Sequence, residues 1–190
     1  MTILDKLFAM NLNLNTLMLD MTSYVSEYDY DCLPIGALPF AAMGCDGVHY
    51  CIIKQDGDET LENSPVYHIS PMDFSSGTVM WAAKNFSDFI SITCIIKDAW
   101  ALPSLANLKK EDFDENLETT EYGQSLMSDE EKMNIENDIC ILKKNFPVVE
   151  ISDLYSYINE AYSDIKNHAC VKFSEPDIKE IELGHYAYGE

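Results

Sequence analysis

Four residues of chemically active type crowd into "GCDGVHYC": Cys45, Asp46, His49 and Cys51 fall within seven positions. Zinc needs three or four ligands converging in a tetrahedron, commonly cysteine or histidine pairs at short fixed spacing. Cys45, His49 and Cys51 lack that spacing, although alternation along a strand would put His49 and Cys51 on one face, with His68 following on the next strand. A cysteine hydrolase needs a low-pKa thiolate, a histidine base and an oxyanion hole. Cys45 with His68 is the best such pairing, but no helix N-terminus follows Cys45 to depress its pKa. The favoured reading is a turn and the core and rim of a sheet, with Gly44 and Gly47 supplying positive φ and Cys45 holding a turn position. "DGDE" at 56–59 has the composition of a calcium loop without the register of one, and reads as a hairpin loop. No catalytic residue, metal or cofactor is assigned.

The elements that would position these residues follow from periodicity. Leu4, Leu7, Phe8, Leu14 and Leu17 predict a helix over 3–20. Strands are expected at 37–43, in "VHYCIIK", in "PVYHIS" and in "TVMWAA", with a helix starting near Asn85 and carrying Phe86, Phe89, Ile90 and Thr93 on one stripe. Residues 109–124, "KKEDFDENLETTEYGQ", read as a loop or solvated connection. Ser128 and Glu131 form a capping box for a helix that faces Ile135, Ile139, Leu142 and Phe146 inward and stops at Pro147. Another helix begins at Ser152, with Leu154, Ile158, Ala161 and Ile165 inward, and "ACVKFS" is a final strand that rejoins the sheet. Strands early and helices late favour an α+β fold: an antiparallel sheet flanked by helices, in a single domain over 1–190.

Charge bounds the partners. The formal net charge is −21, and all twelve basic residues are lysine. A nucleic-acid binder needs a basic footprint to displace counterions, so direct nucleic-acid binding is excluded as an expectation. A basic protein, by contrast, would be steered toward such a surface, and solubility alone is the other reading of the charge. No stretch approaches the roughly 18 apolar residues of a membrane span. The N-terminus lacks the pattern of a signal peptide, and six cysteines without a repeated spacing suit a reducing, cytoplasmic setting. Carboxylates beside tyrosines make the candidate partner-binding set Asp46, Asp56, Asp58, Glu59, Glu62, Asp112, Asp114, Glu115 and Tyr122, with Tyr24, Tyr28, Tyr30, Tyr186 and Tyr188 as further interface tyrosines or as packing at the core edge.

The order of features over 33–100 resembles the SUKH superfamily of Smi- and Knr-like domains. Leu33-Pro34 precedes "PFAAMGCDGVHYCII", which looks like the family's small residues, Gly/Asp turn and apolar strand. "SPVYHIS" is similar to its proline-led strand, and "AAKNFSDFISI" to its small-residue helix start followed by Phe-x-x-Phe. Residues 101–190 form a helical C-terminal extension with no counterpart in that pattern. The resemblance implies an antiparallel sheet with flanking helices and no shared catalytic residues. It also implies an immunity protein, as many bacterial members are, which binds and neutralises a cognate toxin, often a nuclease; the charge of −21 adds the expectation that this toxin is basic. A regulatory scaffold without a toxin target is the alternative, and a cysteine- or metal-dependent enzyme the third reading.

Overall fold

Thr2 opens the chain's first helix by accepting from the Asp5 amide at 3.0 Å while the Asp5 carboxylate accepts from the Thr2 amide at 2.8 Å, a reciprocal cap. The computed structural model describes residues 2–22, 33–44, 46–54, 60–71, 79–106, 108–168, 170–171 and 181–182, with side chains described as far as residue 163. That first helix, α1, is Ile3–Met10 and ends where Asn11 turns left-handed at φ 50°. The expected helix over 3–20 is therefore corrected: β1 (Leu12–Leu14), a 3₁₀ turn (Asn15–Leu17) and β2 (Leu19–Met21) follow instead. The physical reason is a change of period. Leu12 and Leu14 flank Asn13, and Leu19 and Met21 flank Asp20, an alternation that buries one face of a hairpin. Asn11, a residue type that tolerates the left-handed region, makes the break.

β3 (Ala37–Ala42), β4 (His49–Ile53), β5 (Val66–Ile69) and β6 (Val79–Ala83) complete a six-stranded sheet in the order β1-β2-β3-β4-β5-β6, every neighbouring pair antiparallel. The fold is α+β, as the residue pattern predicts. Register places Tyr50 opposite His68 and Cys51 opposite Tyr67. Antiparallel partners share a face, so Tyr50, Ile52, Val66 and His68 lie on one side and His49, Cys51, Tyr67 and Ile69 on the other. All of these are buried, which explains why β4 is apolar on both faces.

The Tyr50 side of the sheet is covered by α2 (Phe86–Ile96), capped by Asn85, whose side chain accepts from the Asp88 amide at 2.9 Å. The Phe89 ring lies 4.7 Å from Tyr50 and 5.2 Å from Phe40, and Phe86 lies 5.4 Å from Phe40. The Tyr50 hydroxyl donates to the Ala99 carbonyl at 2.5 Å, tying β4 to the 3₁₀ stretch Ala99–Leu105. Each such ring contributes about 1.5–3 kcal/mol on full burial.

Three helices follow. α3 is Lys110–Ser125, α4 Asp129–Asn145 and α5 Leu154–His168. The Ser128–Glu131 box caps α4, which buries Ile135, Ile139 and Leu142 and stops at Phe146, before Pro147. Asp153, not Ser152, caps α5, accepting from the Ser156 amide at 3.1 Å. Of its four predicted inward residues, Ile158 and Ala161 are buried, Leu154 is half-buried, and Ile165 lies outside the described side chains. Tyr162 of α5 packs on Trp81 of β6. The Val149 amide donates to Ser91 at 2.7 Å, which fastens the approach to α5 onto α2. β7 (Cys170–Val171) pairs with β8 (Ile181–Glu182) in a separate two-stranded ladder, and so does not rejoin the main sheet.

Candidate protein-binding surface

Residues 109–124 are a further correction, because they fold as α3 rather than as a loop. Two local effects and a tertiary contact make a polar sequence helical. Glu111 and Asp112 sit in the first turn, where the helix dipole favours negative charge. Lys110 and Asp114 form an i,i+4 ion pair. Phe113 is buried and meets the Tyr155 ring of α5 at 5.3 Å, edge to face, while the Lys110 ammonium lies over both rings at 5.7 and 5.3 Å. Near the other end, the Gln124 side chain donates to the Ile96 carbonyl at 2.8 Å and satisfies the C-terminal end of α2.

With Phe113, Leu117, Thr120 and Gln124 toward the body, the outward stripe is fixed. Asp112, Glu115, Thr119, Tyr122 and Leu126 recur at intervals of three and four, and all are exposed. α3 carries six carboxylates and one lysine, and that lysine is already held by Asp114. Where α3 turns into α4, large apolar side chains stand in water: Tyr122 is 68 % exposed, Leu126 70 % and Met133 58 %. Asp129, Glu130 and Glu131 occupy the first turn of α4. The α3–α4 hairpin thus presents uncompensated negative charge with apolar anchors at its tip.

Of the residues singled out by sequence, Asp112, Glu115 and Tyr122 come together on this stripe. Asp114 is on the same helix but turned aside to Lys110. Glu62 is elsewhere, in the 3₁₀ turn Leu61–Asn63, where its carboxylate accepts from the Ile3 amide at 2.9 Å and holds the start of α1. Burial works to raise the Glu62 carboxyl, but hydrogen bonds from its own amide and that of Ile3 carry it below the ordinary range. Asp46 sits exposed at φ 48° in the turn between β3 and β4, not on the hairpin. Asp56, Asp58 and Glu59 lie outside the described residues, as do Tyr24, Tyr28, Tyr30, Tyr186 and Tyr188. Leu126 follows α3 and gains its place on the stripe only once 109–124 is helical, whereas Met133 lies on α4 away from its buried Ile135, Ile139 and Leu142. The spacing 112, 115, 119, 122, 126 was the signal.

The cysteine and histidine group is divided by the sheet. His49 and Cys51 share one face, whereas His68 is on the other, its ring 5.5 Å from Tyr50, so His68 does not converge with them. Cys45 lies outside the described residues. Burial drives the His49 pKa below its ordinary value, more than its 2.7 Å bond to the Gly47 carbonyl raises it. A carbonyl only accepts, so the neutral ring carries its proton on Nδ1. Burial also pushes the Cys94 thiol up to about 11, against the pull of Lys143. Among the described residues, no three His, Cys, Asp or Glu side chains are grouped to hold a metal ion, and no helix is long and apolar enough to cross a membrane. What this geometry offers is attraction and burial, at the hairpin.

No family model, curated protein or solved structure matches the chain.

Proposed function

We propose that the chain is a non-enzymatic binding protein of the SUKH-like immunity type, which neutralises a cognate basic, nuclease-like toxin by covering it with the α3–α4 hairpin. The single observation that carries this reading is the outward stripe Asp112, Glu115, Tyr122 and Leu126, acidic along its length and apolar at its end. Carboxylates there attract lysine and arginine at long range, and tyrosine with leucine supplies contact area that is desolvated on docking. The net charge of −21 reinforces that steering over the whole molecule. The resemblance over 33–100 supports the same reading, with the sheet and α2 as scaffold and the later helices as the recognition element.

The test has two stages. Affinity capture from the source organism identifies a bound protein, and its gene is then expressed in a host with and without this chain. The reading expects a basic partner that arrests growth alone and not in the presence of this chain. It also expects weaker protection from a variant carrying Asp112→Asn, Glu115→Gln and Tyr122→Ala. An acidic partner, or growth arrest that this chain does not relieve, contradicts it.

A further inference from the structure

Next to the hairpin, the C-terminal end of α2, the inner side of α3 and the first half of α4 enclose a groove of about 450 Å³. Its apolar wall includes Leu117, Ile135 and Leu154, and Ile95 stands at 44 % exposure on a helix whose other apolar residues are buried. Its polar residues include Glu121 and the Lys97–Glu136 ion pair of 2.5 Å. The volume falls within the roughly 300–1,000 Å³ of ordinary ligand clefts, room for a few side chains rather than for a whole helix.

We infer that this groove receives one amphipathic, basic segment of the protein partner: an apolar side chain seats against Ile95, Leu117 and Ile135, and a neighbouring lysine or arginine pairs with Glu121. The inference rests on the binding function proposed above and names the part of the partner that is gripped. Charge selects the occupant. Lys97 is held by Glu136. Lys132 donates to the Ser125 carbonyl at 2.9 Å and keeps its charge, so the groove's own lysines and carboxylates balance. Selection falls to the surrounding field of six carboxylates against one lysine on α3 and a net charge of −21. Glu121 makes no ion pair among the described residues and stands on a helix whose one lysine is spent on Asp114. A second copy of this chain is opposed by the repulsion between two molecules of net charge −21. An anionic small molecule is opposed by the same field. A basic helix that presents one apolar residue with cations three or four positions away has both chemistries at the right spacing.

The probe is a fluorescein-labelled peptide of leucine and lysine in a helical amphipathic pattern, about 14 residues or four turns long. A scrambled peptide of equal composition is the control, and fluorescence anisotropy at low salt the readout. The helical peptide is expected to bind at least about tenfold more tightly than the scrambled one. The double variant Ile95→Ser, Glu121→Gln should weaken it by about tenfold or more, since it removes both the seat and the counter-charge. Glu150→Gln, exposed and outside both the groove and the stripe, should weaken it by less than about fivefold. Ile95 and Glu121 are both exposed, so these substitutions leave the core intact, and circular dichroism of each variant verifies it. If the groove variant binds as wild type does, or the two peptides bind alike, the groove inference is overturned while binding to an acidic surface survives. If neither peptide binds wild type, the electrostatic basis of the proposed function is itself overturned.

Discussion

Phe113 is the one fully buried side chain of α3, and replacing it by alanine should release that helix while leaving the sheet folded. The deletion removes a buried ring whose loss costs about 3–5 kcal/mol where surroundings cannot collapse. It also removes the edge-to-face contact with Tyr155, worth about 0.5–1.5 kcal/mol, and one face of the Lys110 cation–π contact, worth about 0.5–1 kcal/mol at an exposed site. The sixteen residues of α3 have little to set against that loss. Isolated helices below about 12–15 residues are marginal in water, and this one is polar on most of its surface. Shifting its local opening by about 3 kcal/mol corresponds to roughly a hundredfold. Native-state hydrogen exchange should therefore show the amides of 114–125 in Phe113→Ala exchanging about a hundredfold faster. Those of β4 and β5 should change far less. Equal acceleration across α3 and the sheet would show one cooperative unit and refute the reasoning, as would unchanged exchange in α3.

Four residues give further predictions. The folded His49 pKa lies below its unfolded value of about 6.5, so its neutral state contributes stability that is present above that pH and lost as pH falls through it. The stability advantage of wild type over His49→Gln, from urea titrations between pH 8 and pH 5, should accordingly shrink toward the acid end; a constant gap contradicts it. Glu62→Gln should lower stability by about 1 kcal/mol through the weakened bond to the Ile3 amide, without altering partner affinity. A thiol reagent under native conditions should label Cys140, which is exposed, well before the buried Cys94, whose burial raises its pKa; peptide mapping by mass spectrometry reads the order.

Four of the six strands, β3 to β6, were legible because they alternate or run apolar between Gly, Pro and Asn punctuation, as in "GCDGVHYCIIK" and "SPVYHIS". The α4 boundaries were legible because Ser128, Glu131 and Pro147 mark them chemically. Cys170–Val171 pairs with Ile181–Glu182 rather than with the main sheet, a choice of partner that no local pattern displays. Two longer segments depart from their pattern for opposite reasons. In 3–20 the leucines satisfy a helical period and an alternating one at once, and the left-handed turns at Asn11 and Met18 separate them. In 109–124 charge masked a helix whose support comes from tertiary contact at Phe113 and Gln124, partners that no local pattern displays. The candidate surface suffered with it. Asp112, Glu115 and Tyr122 stand out by type, but the stripe that unites them with Leu126 emerges only on the helix. Glu62 shows the limit of composition: an acidic loop residue is a hydrogen-bond acceptor for α1.

The central claim is that the acidic hairpin draws in a basic protein. Stopped-flow association with the captured partner, measured against ionic strength, tests it most directly. Charges farther apart than the Debye length, about 10 Å at 0.1 M salt, are largely screened, so salt acts on the approach more than on the docked complex. The prediction is an association rate that falls about tenfold or more from low to high salt with dissociation little changed. The slope should be reduced in the variant carrying Asp112→Asn and Glu115→Gln. An association rate flat in salt, or one that the variant leaves unaltered, would contradict recognition by this surface.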